Sequence, residues 1–135
     1  MLNLSVRLMK LRFLLPFVFF LIAAQASPPI AITSPAPSEM LRGQVKITGQ
    51  VDVPGFASAQ LDFAYASNPT NTWFTIQTFS QPITDSTLAT WDTTAITDGD
   101  YILRLRVNIQ DSTSQEVTVP VKIGNDFVPP TPTLE

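Results

Sequence analysis

Two residue types are missing altogether: the chain has neither cysteine nor histidine. Without imidazole there is no Ser-His-Asp relay, no histidine-held metal and no side chain whose ordinary pKa lies near neutrality. Without a thiol there is no thiolate nucleophile, no disulfide and no lipid attachment at a cysteine. Glycine is scarce, with five scattered residues, so no glycine-rich phosphate loop is present. Glutamate is scarce as well. Besides the terminal Glu135 there are only Glu39, in a loop, and Glu116, at a strand start. A single small domain offers them no deep cleft, so the paired carboxylates of a glycosidase are not expected. These absences predict a non-enzymatic chain with no cofactor and no metal.

The start of the chain carries the one long apolar run. Arg7, Lys10 and Arg12 form a positive segment, Phe13–Ala24 is apolar throughout, and Ala24-Gln25-Ala26 has the small-x-small cleavage pattern. That is the layout of a signal peptide over residues 1–26. The run is too short for a bilayer span, which needs about 20 apolar residues. Pro16 also weakens an anchor helix. Met9-Lys10 makes an alternative start, leaving Met1 and Met9 both open. Cleavage after Ala26 predicts an exported chain, secreted or in the cell envelope, with no membrane insertion after cleavage. Exported small domains usually carry disulfides, and their absence here points to a bacterial protein with a self-sufficient core. Beyond residue 26, five basic residues face eleven acidic ones, a balance of −6. Nucleic acid needs clustered Lys and Arg and is therefore not an expected partner.

From Ser27 onward the pattern is that of short strands. Ile30–Ile32 lies between prolines, as an edge strand tolerates. Gln44–Val53 alternates, with Val45, Ile47, Gly49 and Val51 on one face. Pro54-Gly55 is a turn pair. Gln60–Ser67 places Leu61, Phe63 and Tyr65 on one side. A polar turn, Asn68–Asn71, leads to Thr72–Phe79, and Ser80–Ser86 reads as a connection. Thr87–Trp91 is the fifth strand. Asp100–Gln110 alternates cleanly, with Tyr101, Leu103, Leu105 and Val107 opposite Arg104, Arg106 and Asn108. Gln115–Ile123 is the seventh, with Val117, Val119, Val121 and Ile123 inward and Pro120 outward at an edge. About seven short strands, turn signals every eight to twelve residues and no helix predict an all-β antiparallel sandwich over residues 27–124. Residues 125–135 form a Pro/Thr-rich tail, where a longer stalk or a further domain is the expected continuation.

Leu88-x-x-Trp91-Asp92-Thr93-Thr94, followed by Asp98-Gly99-x-Tyr101-x-Leu103-x-Leu105-x-Val107, resembles the immunoglobulin-like and fibronectin type III-like domains of bacterial exported surface proteins. The resemblance spans about Pro29 to Ile123. It implies a Greek-key sandwich with a structural corner at Ile96, Gly99 and Tyr101. There the Tyr101 ring enters the core and its hydroxyl meets a backbone group near Ile96 or Thr97. Such domains serve as spacers, adhesive modules and hydrolase appendages, so fold alone does not name a function.

Among candidate sites, the aromatics Phe63, Tyr65, Trp73, Phe74, Phe79, Trp91 and Tyr101 belong mainly to the core by alternation. Trp73 and Phe74 are adjacent and cannot both face inward on a regular strand. One of them is expected at the surface, and the pair is the candidate binding surface. The acids Asp92, Asp98, Asp100 and Asp111 fall at corners, without the spaced ligands of a calcium loop. Asp92 is expected to accept from local backbone amides. Arg104 and Arg106 read as a solvated strand face. The function expected is structural or adhesive, with a protein or glycan partner at the cell surface. The alternatives are a carbohydrate-binding module, or an accessory domain or fragment of a larger surface protein or secreted hydrolase.

Overall fold

The computed structural model describes residues 28–126; the signal-peptide assignment at residues 1–26 lies outside them, as does the tail assigned to residues 125–135 from residue 127 onward. Among these residues the secondary structure is eight strands: β1 (Ile30–Ser34), β2 (Met40–Leu41), β3 (Gln44–Val51), β4 (Phe56–Tyr65), β5 (Phe74–Phe79), β6 (Ile83–Asp92), β7 (Gly99–Ile109) and β8 (Ser114–Ile123). There is no helix among the described residues. The strands form two sheets, ordered β1-β3-β6 and β2-β8-β7-β4-β5. All pairings are antiparallel except the short β2–β8 contact.

Period-two alternation explains the core. Ile47 and Val51 from β3 meet Leu61 from β4 and Leu103, Leu105 and Val107 from β7, and all are shielded from water. Burying each such side chain contributes about 1.5–3 kcal/mol. Trp91 of β6 and Val119, Val121 and Ile123 of β8 close the same cluster. Gly49 pairs with Ile32 of β1 beside a register shift in that ladder. A Cβ there would lie 2.1 Å from the Ala31 carbonyl oxygen, so glycine is a packing requirement.

Three details differ from the sequence reading. Met40–Leu41 forms an eighth strand, too short for any periodicity to reveal. The polar stretch before Thr87 is not all connection, because β6 already begins at Ile83 and pairs with Val51. Asn125, counted with the tail, is tied to the domain. Its Oδ1 accepts from the Gly43 amide at 2.8 Å, and its Nδ2 donates to the Thr93 carbonyl at 2.7 Å.

Unequal sheet widths shape the surface. Three strands cannot cover five, and β5 is the outermost strand beside β4. Phe74 pairs with Phe63 in the register and shares its inward side, yet it remains 43% exposed. Tyr65, at the end of β4, is 54% exposed for the same reason.

Candidate functional site

The outer face of β4 and β7 holds a charged pair beneath an indole. Asp62 stands opposite Arg104 in the register. Arg104 Nη2 donates to Asp62 Oδ2 at 2.6 Å, and Nε reaches the same oxygen at 3.2 Å. The other carboxylate oxygen accepts from Gln60 Nε2 at 2.5 Å, and that amide also donates to Thr75 Oγ1 at 2.9 Å. Glu116 lies 3.9 Å from Arg104 Nη1 on the β8 side. Trp73 is laid over the guanidinium, with Cζ 3.8 Å from the ring centroid. Such stacking of a partly desolvated guanidinium on an indole contributes about 1–2 kcal/mol.

The loop before β5 aims that indole. Asn68 Oδ1 accepts from the Thr72 amide and its Nδ2 donates to the Thr72 carbonyl, closing the turn. Asn71 takes the left-handed conformation at φ 52° and accepts the Trp73 indole N–H at 2.9 Å. Asparagine is the residue that tolerates both demands. The expected solvation of Arg104 is therefore corrected. Asp62 is fully buried and Arg104 is 9% exposed, because Trp73 roofs a face that alternation assigns to solvent. Arg106 remains exposed, as expected.

Trp73 and Phe74 thus leave the chain on opposite faces. Trp73 covers Arg104 and is half-buried, whereas Phe74 joins an aromatic corner. Phe74 stacks on Phe63 with centroids 5.2 Å apart and meets Tyr65 edge-on at 6.5 Å. Behind them Phe63 contacts Trp91 and Tyr101, and Tyr65 lies 5.1 Å from Tyr101. Tyr101 is buried and donates its hydroxyl to the Thr97 carbonyl at 2.6 Å. Burial first, then the neighbouring Tyr65 phenol and the Asp98 carboxylate, push its ionisation above the usual phenol range. Gly99 opens β7 with φ +153°, a value that residues with side chains rarely adopt. Ile96 is half-buried against the core and closes its turn by donating its amide to the Thr93 carbonyl.

The corner acids go separate ways. The Asp92 carboxylate accepts the Thr94 hydroxyl at 2.7 Å and the Thr94 amide at 3.0 Å, which hold its pKa below the ordinary value. Asp111 is lowered in the same way by the Thr113 hydroxyl and amide. Asp98 receives the Asn125 and Asp126 amides. Asp100 pairs with Lys122 at 2.7 Å on the surface. Among the described residues no three acids converge on a point that could hold a metal.

A saturated ion pair presents no free charge, and none of the buried polar side-chain atoms described lacks a partner. Among the described residues the exposed large apolar side chains are Met40 on β2 and the Tyr65–Phe74 corner beside the Asn68–Thr72 loop. Alternation puts Tyr65 inward, and no pattern in the sequence tells how far the facing sheet extends. Comparison of the chain with family models, with curated proteins and with solved structures finds no match.

Proposed function

We propose that this chain is an exported, non-enzymatic immunoglobulin-like domain of the cell surface, released from its signal peptide after Ala26, with a structural or adhesive role through a protein partner. Two sheets ordered β1-β3-β6 and β2-β8-β7-β4-β5 support a Greek-key immunoglobulin-like topology. The Tyr101 hydroxyl on the Thr97 carbonyl supports it independently, as a tyrosine corner.

The observation that carries the binding role is the exposed pair Tyr65 and Phe74. Aromatic side chains anchor protein interfaces because they bring large area at small entropic cost. A glycan platform needs a flat, open ring face. Here the two rings stand at 84° to each other, and Trp73 is already stacked on Arg104. The geometry favours a protein partner over a sugar.

The test uses the protein as purified from an expressing host, beside a Tyr65→Ser/Phe74→Ser double variant. Expected outcomes are an N-terminus at Ser27 by mass spectrometry, and binding to proteinaceous surface material that the double variant loses while its melting transition persists. Binding on a glycan array that the variant loses would move the assignment to a carbohydrate-binding module. An intact N-terminus would refute export by cleavage.

A further inference from the structure

We infer that β5 is a self-association edge, pairing antiparallel with β5 of a second copy to join two five-stranded sheets into one. This goes beyond the adhesive reading and does not depend on it.

The first observation is that β5 lacks the prolines, the charges and the shortness that mark the other edge strands. Prolines flank β1, β2 has only two residues, and β6 carries Asp85 and Asp92. Natural edge strands are blunted by such devices. β5 reads Phe-Thr-Ile-Gln-Thr-Phe, with no proline, glycine or charge within it or adjoining it. Residues 63–84 carry no charged side chain at all, in an otherwise acidic domain. Two copies can bring this edge together without like-charge repulsion.

The second observation is that β5 is complementary to itself. A two-fold axis between Ile76 and Gln77 sets Phe74 of one copy opposite Phe79 of the other. Thr75 then meets Thr78, and Ile76 meets Gln77. Aromatic and Thr–Thr cross-strand pairs are among the stabilising ones. Such a pairing works only if opposed residues share a face. Phe74 and Phe79 are five apart and on a regular strand would not. The register shift between Leu61 and Asp62 changes that. Phe74 pairs with Phe63 and Phe79 with Ala59, four residues apart on β4, so both phenyl rings lie on one side. Thr75 and Thr78 pair with Asp62 and Gln60, two apart, and so share the other side. The bulge that breaks the β4–β5 register is what makes β5 symmetric about its middle.

An edge of this length with two aromatic contacts falls at the small end of specific interfaces, so the dimer is concentration-dependent. The experiment is sedimentation velocity on the purified protein across a wide concentration range, with Gln77→Lys, Gln77→Glu and their equimolar mixture. Gln77 is exposed and flanks the axis, so each variant alone places like charges side by side. Expected are a rise from one-chain to two-chain mass in the wild type and dimerisation weakened at least about tenfold in each variant. The mixture should recover the dimer. A wild type of one-chain mass throughout overturns the inference, as does a Gln77→Lys protein that dimerises like the wild type. A mixture that stays monomeric overturns the register.

Discussion

On the inner face of β4 and β7, Leu61, Leu103 and Leu105 lose all contact with water; one position along, on the outer face, Asp62 loses it too and Arg104 nearly so. The two faces reach the same burial by opposite chemistry. The inner face is sealed by a second sheet. The outer face is sealed by a single indole and by its own hydrogen bonds. Apolar burial is non-directional and degrades gradually when trimmed, whereas a buried ion pair depends on both members. The two faces therefore fail in different ways.

The largest effect is expected from breaking the outer face on one side. Arg104→Ala leaves Asp62 buried and unpaired and should cost about 3–5 kcal/mol in urea unfolding. Replacing both members, Asp62→Leu with Arg104→Met, should be close to neutral, since a well-packed apolar pair often substitutes for a buried ion pair. A double variant as unstable as the single one would mean that the pair contributes more than its own cancellation. On the inner face, Leu103→Ala should cost about 2–5 kcal/mol, with no rescuing partner, because it leaves a cavity between two sheets.

Trp73→Ala sharpens the contrast by removing the roof alone. The loss should be about 1–2 kcal/mol from the stacked guanidinium. The Arg104–Asp62 pair should also become sensitive to salt, because exposed charges are screened. Stability measured at low and high salt in wild type and variant separates these effects: the wild type should change little and the variant should weaken with salt. Equal salt dependence in both proteins would mean that the indole does not shield the pair.

Most of the architecture was legible because alternation over β3, β7 and β8 is long and clean, and the turns are rich in Pro, Gly and Asn. β2 was not legible, since two residues carry no period. The outer-face pair was not legible either. Asp62 and Arg104 are forty-two residues apart in sequence and sit at positions that alternation gives to water. Only the register of β4 against β7 puts them opposite each other, and the Asn68–Asn71 turn brings Trp73 over Arg104. For the candidate surface, adjacency of Trp73 and Phe74 predicts that one of the two rings is exposed, and Phe74 is. It could not tell which ring would be engaged, because Arg104 was assigned to solvent. Tyr65 was missed because its exposure depends on the width of the other sheet.

Tyr101 joins the two modes of burial in one side chain, with its ring in the apolar core and its hydroxyl on the Thr97 carbonyl. Tyr101→Phe removes only the polar half and should cost about 1 kcal/mol, less than breaking the outer-face pair on one side. Thermal unfolding of the two proteins checks it. A loss as large as that of Leu103→Ala would mean the corner holds β7 in place rather than adding one hydrogen bond.

The smallest effect belongs to a carboxylate at the opposite limit from Asp62. Asp92 is fully exposed and held by the Thr94 hydroxyl first and the Thr94 amide second, which lower its pKa in the folded chain. A depressed folded value means that its stabilisation is present above the ordinary carboxylate pKa and is lost as pH falls through the lower, folded one. The contribution is thus complete at neutral pH and declines only in acid, below about pH 4. Asp111, held the same way by Thr113, behaves alike. Asp92→Asn keeps an oxygen for Thr94 to donate to but removes the titration. Its unfolding curves should fall less steeply with acid than those of the wild type, with little change in shape between pH 5 and 8. An unchanged acid slope would mean that solvent screens the Thr94 contacts completely, and that exposed carboxylates in this fold add local shape without pH-dependent stability.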